Sequence, residues 1–550
     1  MRRTLAGSTA GNTMKRSFLL ALTTVIVAAG TVAGIQVASG NKPTPTATRD
    51  LSDVEVRRTM DLLFRARVRD RLAWTDSLAS ECRGEPLYHL MRARLYRELL
   101  PVDDEGSDEL KREAKPFYDE LQAVITLCDA RLEGGDENDE LRLYRGWAWM
   151  FMSHVHTYEK SFWSAGREAK KGKSDLEWYL ERHPGEPVAS SLMGAFLYFA
   201  DTLPSAYKFV SKLLFLPTGD RDRGLQMMEL ARGYNSVMEN DNALILYSVY
   251  LGFEGRYEEG LEGFKYLRRN YPEHATFVRP EAIMLPLLPL RTAEVGDSLD
   301  ARMARIASLP KEKIDHSTTE LIRFERAYAD RFYHPQRAIT RFEEIMRDAP
   351  EHPNWVPGFA AFELGRLQAA RGDAEAARRA FDLVVRDENV KYIHDDAKSM
   401  ISALQRFPQG TGIGPADVPA IYGSDDEARH RVRDELVAKE NPTIADQFYL
   451  GEAWLMSGEL DKALDAYTGA FNPPGAPWDH SYQLVACARA GEILASRDEF
   501  EAAAKHYERA GSFWHKEYLL DWVLKARERY FKRLKSGEET GRPTLITSAP

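Results

Sequence analysis

The chain has 550 residues, 44% of them hydrophobic and 29% charged, with 37 Gly, 27 Pro and three Cys. Such proportions exclude a collagen-like, disulfide-scaffolded or wholly disordered protein. Lys and Arg number 74 against 84 Asp and Glu, a net charge of −10 with both signs interspersed. The basic excess of a dedicated nucleic-acid binder is missing, so no nucleic-acid partner is expected.

Met14, Lys15 and Arg16 open a stretch that runs without charge from Ser17 to Asn41, with an apolar core from Phe18 to Ala29 and small residues behind it. A basic start, a short apolar run and small residues form the pattern of a secretory signal peptide. The stretch is also just long enough to cross ~30 Å of hydrocarbon as a retained anchor, although Gly30, Gly34 and Gln36 weaken a span. Residues 1–40 are therefore expected to export the chain to the periplasm or cell envelope, or to tether it to the membrane through residues 17–38. Residues 41–50, with Pro43 and Pro45 among threonines, read as a linker.

Residues 51–240 hold amphipathic runs at three- and four-residue steps, such as Leu87, Leu90, Met91 and Leu95, and no convincing strand alternation. They are expected to be helical, either as degenerate repeats or as a domain of their own. Trp147, Trp149, Phe151, Phe162, Trp163, Trp178 and Tyr179 make an aromatic-rich stretch. It is expected to be the core of long packed helices, with an exposed subset as the alternative. Ser205 to Phe215, bearing Lys208 and Lys212, reads as a buried connector rather than an interfacial helix. Asp220 and Asp222 sit among arginines without the alternating ligands of a calcium loop, so Asp220 is assigned as a helix cap.

The middle and C-terminal parts carry one ruler. Gly365 is followed twelve residues on by Ala377 and four further on by Phe381; Gly451, Ala463 and Tyr467 repeat the steps, as do Gly491, Ala503 and Tyr507. Between the first two members of each triple lies a turn: Arg371-Gly372-Asp373, Ser457-Gly458-Glu459 and Arg497-Asp498-Glu499. Gly260 with Phe264, and Ala338 with Phe342, keep the second half of the pattern and are followed by Pro272 and Pro350. Small residues let two helix backbones approach closely, and an aromatic one turn beyond fills the wedge beside them. A hairpin of this kind buries its apolar face only by stacking on neighbours.

On these residues the chain resembles the tetratricopeptide-repeat (TPR) family, over about 241–272 and 319–511. The first-helix Trp of that family is absent and the repeats are longer than 34 residues. The expected fold is all-α, a superhelical α-solenoid of TPR-like hairpins. Hairpins are placed at 241–406 and 444–535, with an interruption at 407–443 around Pro408–Pro419, a capping helix over 515–534 and a disordered tail at 536–550. The resemblance implies a non-enzymatic scaffold that holds a protein or peptide partner in its superhelical groove. The rival is an exported helical-toroid enzyme acting on polysaccharide through facing carboxylates; the open-array spacing of the triples argues against closure.

Catalytic, metal and cofactor motifs are not found. His154 and His156 lie ~200° apart around a helix and cannot chelate one ion together. No His-Glu-x-x-His, Cys-x-x-Cys, phosphate loop or nucleophile elbow occurs. Cys82, Cys128 and Cys487 are too few for a disulfide framework. Cys82 with Cys128 is the one pair that could bridge, and three buried thiols is the preferred reading. No cofactor is expected.

Overall fold

The computed structural model describes residues 49, 51–64, 68–97, 100, 106–202, 219–232, 239–271, 277, 284, 287, 300–301, 303–304, 316–348, 355–513 and 521–540. The expected export segment, the linker as far as residue 48, the Ser205–Phe215 connector and residues 541–550 of the tail lie outside them, as do Pro272 and Pro350. Among the described residues there is no strand, and no helix is long and apolar enough to cross a membrane. The described residues up to Tyr247 form one compact unit and those from Ser248 onward another.

The first unit contains α1 (Asp53–Phe64), α2 (Val68–Ser77), α3 (Pro86–Arg97), α4 (Lys115–Glu133), α5 (Glu140–Tyr158), α6 (Phe162–Arg182), α7 (Pro187–Thr202) and α8 (Arg221–Arg232), and most of α9 (Glu239–Val249). α3 pairs with α4, α5 with α6 and α7 with α8 as sequential hairpins. The pairs are held by close glycine crossings. A Cβ on Gly172 would stand 3.0 Å from the Gly146 carbonyl oxygen, and one on Gly146 would meet Leu176 Cγ at 3.0 Å. In the next hairpin a Cβ on Gly224 would meet the Gly194 oxygen at 2.6 Å, and one on Gly194 would meet Met228 Cγ at 3.0 Å. Asp220 caps α8, its Oδ1 accepting from Arg223 N at 3.1 Å. Arg145 donates to Asp175 on α6 and to Asp129 on α4, at 2.7 Å and 2.6 Å, and so ties three helices together.

The second unit runs from a short π-helical turn at Tyr250–Glu254 through α10 (Tyr257–Asn270), α11 (His316–Tyr333), α12 (Pro335–Arg347), α13 (Val356–Arg371), α14 (Ala374–Arg386) and α15 (His394–Leu404). It continues with α16 (Val418–Tyr422), α17 (Asp426–Val437), α18 (Ile444–Met456), α19 (Leu460–Phe471), α20 (His480–Ala495), α21 (Phe500–Ala510) and α22 (Asp521–Ser536). The helices pair as α11–α12, α13–α14, α18–α19 and α20–α21. All-α hairpins in sequential contact, the core of the sequence-based expectation, are what the structure contains.

Local chemistry sets the boundaries. Thr443 and Asp446 form a reciprocal capping box at the start of α18. The turn inside each complete triple places its middle residue in the left-handed region, at φ 90° for Gly372, 75° for Gly458 and 61° for Asp498. The 407–443 stretch contains α16 and α17, and its first residues fasten two hairpins. Thr411 N and Gly412 N both donate to the Ala370 carbonyl, at 2.9 and 2.8 Å, while Trp478 Nε1 donates to Thr411 Oγ1 at 2.9 Å.

The terminal helix covers the last hairpin and reaches further. α22 packs against α21 on one side and the 250–254 turn on the other. Tyr257 OH donates to the Val523 carbonyl at 2.6 Å, and Arg527, fully buried, reaches the Gly255 carbonyl at 2.7 Å and Glu258 at 3.2 Å. The spacing of the triples points to open ends, whereas the first and last helices of this unit are bonded to each other. Spacing reports how one hairpin is built and says nothing of how the last meets the first.

Candidate functional site

All thirteen repeat-packing residues singled out in the sequence, Gly260, Phe264, Ala338, Phe342, Gly365, Ala377, Phe381, Gly451, Ala463, Tyr467, Gly491, Ala503 and Tyr507, are buried. In the complete triples the aromatic ring lies directly on the glycine of the preceding helix. A Cβ would meet the ring at 2.6 Å on Gly365, 2.5 Å on Gly451 and 2.9 Å on Gly491. Glycine is therefore required here by close approach, its backbone remaining helical.

Beside each tyrosine stands a carboxylate that sequence reasoning missed. Tyr467 OH donates to Glu452 Oε1 at 2.6 Å, and Arg489 Nε donates to the same oxygen at 2.9 Å. One hairpin later, Tyr507 OH donates to Glu492 Oε1 at 2.6 Å, joined by Arg527 Nε at 2.9 Å. Burial first, and then the neighbouring carboxylate, holds both phenols well above 10. Where the aromatic is Phe381, with no hydroxyl, Arg366 rather than glutamate follows the glycine. Glu363 instead accepts from Arg331 at 2.6 Å and Arg366 at 3.3 Å. The signal was present as Gly-Glu recurring at 451–452 and 491–492 with tyrosine fifteen residues after each glutamate.

Every residue of α20 from Ser481 to Ala495 is buried, so that helix is enclosed on all sides. A peptide lying along it would have to displace packed helices.

Among the described residues, two adjacent exposed aromatics lie in the first unit. The aromatic-rich stretch divides: Trp147 and Tyr179 are core, while Phe162 and Trp163, at the turn that opens α6, are 43% and 59% exposed. Trp178 lies between Arg142 and Arg182, whose guanidiniums stand 4.6 and 3.7 Å from its ring. The outer side of α6 continues from Trp163 through exposed Arg167, Lys170 and Lys171 to Ser174 and Glu177. Lys171 covers the Trp149 ring at 3.9 Å. The inner side, with Ala165, Ala169, Gly172, Leu176 and Tyr179, packs into the hairpin. The result is a partly exposed aromatic pair with a basic stripe one to two turns behind it.

The histidines stand apart from each other, as helix geometry requires. His154 contacts Tyr158 OH at 3.2 Å, and His156 bonds Glu168 at 2.5 Å. No cluster of His, Cys, Asp or Glu with metal-site geometry occurs among the described residues. Cys82, Cys128 and Cys487 are buried free thiols.

No protein-family model matches the chain, and no curated protein matches it either. Among solved structures it is similar to a human IFIT1 dimer with PPP-AAAA, at 13% identity and a TM-score of 0.22, covering 82% of this chain and 94% of that one. It is also similar to a monomeric IFIT1 mutant with Gppp-AAAA, at 14% identity and a TM-score of 0.21, covering 84% and 95% of the two chains. The fold rests on the helix pairing described above rather than on these loose likenesses.

Proposed function

We propose that the protein is a non-enzymatic TPR-like scaffold that binds a protein partner in an extracytoplasmic or membrane-associated assembly, with the Phe162–Trp163 turn and the basic stripe of α6 as its docking face. The observation that carries this reading is the pairing of two exposed aromatics with Arg167 and Lys170, which have no ion-pair partner among the described residues. Aromatic anchors supply most of the energy of protein interfaces, and flanking cations select an acidic partner segment and speed its encounter. The basic start and apolar run at residues 14–29 support the location. Buried Glu363, Glu452 and Glu492 are each held by arginine, which favours a structural role for them over polysaccharide cleavage.

The test is crosslinking and affinity purification of the tagged full chain from its native membrane fraction, read by mass spectrometry. The expected result is one or two stoichiometric partners, lost in a Trp163→Ser/Arg167→Glu/Lys170→Glu variant of unchanged thermal stability. Recovery of the protein alone, or partners indifferent to the variant, would overturn the reading.

A further inference from the structure

A second feature lies inside the first unit, away from the α6 face. Arg97, the last residue of α3, is only 6% exposed, and among the described residues it has no hydrogen-bonding or ion-pairing partner. Its guanidinium rests over the Tyr158 ring, 5.4 Å from the centroid, and its Nη2 is buried and unbonded. Among the described residues no charge cancels it. Arg94 is already neutralised by Asp241, to which it donates twice, at 2.9 and 2.7 Å. His154, bonded to the hydroxyl of that same Tyr158, is held well below its ordinary 6.5 by burial and then by Arg97 and Arg94, so it is neutral near pH 7 and offers the guanidinium no counter-charge. Asn242, beside Asp241 on α9, also has both amide atoms buried and unbonded.

A largely buried guanidinium resting on a ring face is costly where an N–H group has lost water and gained no acceptor, as Nη2 of Arg97 has. The guanidinium edge presents parallel donors in the fork that matches a carboxylate or phosphate. Stacking on Tyr158 fixes the plane of the fork while leaving the edge open.

We propose that Arg97 is the anchor of a binding site for a small oxyanion, a carboxylate or a phosphate group, formed between α3, α5 and α9. Tyr158 orients the guanidinium, and His154, kept neutral, avoids a second uncompensated cation until the anion arrives. The site is independent of the α6 docking face, so either can fail without the other.

The experiment is thermal unfolding of the full chain at fixed ionic strength in chloride, inorganic phosphate or acetate, with Arg97→Met as the comparison. Methionine keeps an apolar stem on Tyr158 and removes the charge. A ligand that binds only the folded state raises stability saturably. The expected result is a saturable rise in Tm with phosphate or acetate for the wild type, lost in Arg97→Met, with the variant at least as stable as the wild type in chloride. A response to phosphate alone or to acetate alone assigns the oxyanion class. An NMR titration of His154 supplies a second readout, its pKa moving up when the anion is present. Equal responses of the two proteins, a His154 pKa indifferent to the anion, or an Arg97→Met chain that fails to fold in chloride would each overturn the proposal.

Discussion

The ring of Tyr467 lies so close to Gly451 that a methyl group on the glycine would stand 2.5 Å from two of its carbons. Tyr467 is fully buried and cannot swing away. Gly451→Ala is thus expected to destabilise the fold by up to about 2 kcal/mol net, an overpacking cost of about 1–3 kcal/mol set against the ~1 kcal/mol that alanine gains in a helix. Gly491→Ala, with 2.9 Å available, should cost less. Gly458→Ala provides the control for strain alone, since nothing lies within 4 Å of its Cβ position while φ is 75°; it should cost about 1–2 kcal/mol. Urea midpoints of the three variants should fall in that pattern.

Glu452 accepts from Tyr467, Tyr422 and Arg489 while wholly shielded from water. Removing it strands a buried guanidinium, so Glu452→Ala is expected to cost about 3–5 kcal/mol. Adding Arg489→Met to that variant should recover a large part of the loss. A double-mutant cycle by chemical denaturation reads the coupling directly, and purely additive losses would refute it.

Asp479 is pushed up to about 6 by burial, against the opposing effects of the Thr411 hydroxyl and the Ala476 amide. The folded state therefore takes up a proton between pH 6 and 4 that the unfolded chain does not. The resulting stabilisation is complete below the ordinary aspartate pKa of about 4 and is lost as pH rises to about 6, amounting to roughly 3 kcal/mol. Asp479→Asn should remove this component from a stability profile measured between pH 4 and 7.

Burial pushes the thiols of Cys128 and Cys487 up to about 12 and raises that of Cys82. Folded protein at pH 8 should release almost no chromophore from a disulfide reagent, and urea-unfolded protein should release three equivalents. Rapid reaction of any cysteine in the folded state would contradict their burial.

The hairpins could be read in the sequence because their defining contacts are local: Gly365, Ala377 and Phe381 meet within a span of seventeen residues. In the first unit the same contact is made by Gly146, Gly172 and Leu176, and again by Gly194, Gly224 and Met228. There the first step stretches from twelve residues to 26 and then 30, and the aromatic is replaced by Leu or Met. A fixed-spacing search passes over both. Pairings such as Arg94 with Asp241 or Arg527 with Glu258 depend on where distant helices come to lie, and no periodicity announces them. Phe162 and Trp163 were visible as aromatics, but exposure belongs to the turn that presents them rather than to their composition.

Arg527 joins Glu492, in the last complete hairpin, to Gly255 and Glu258 at the opening of the same unit. A linear repeat array frays from its termini, each outer hairpin opening before the inner ones. With its two ends clasped, this unit has no outer hairpin to lose first. Its slowest-exchanging amides should then include those of α10 and α22 as well as the central helices, and cutting the chain before residue 521 should loosen a segment more than 250 residues upstream.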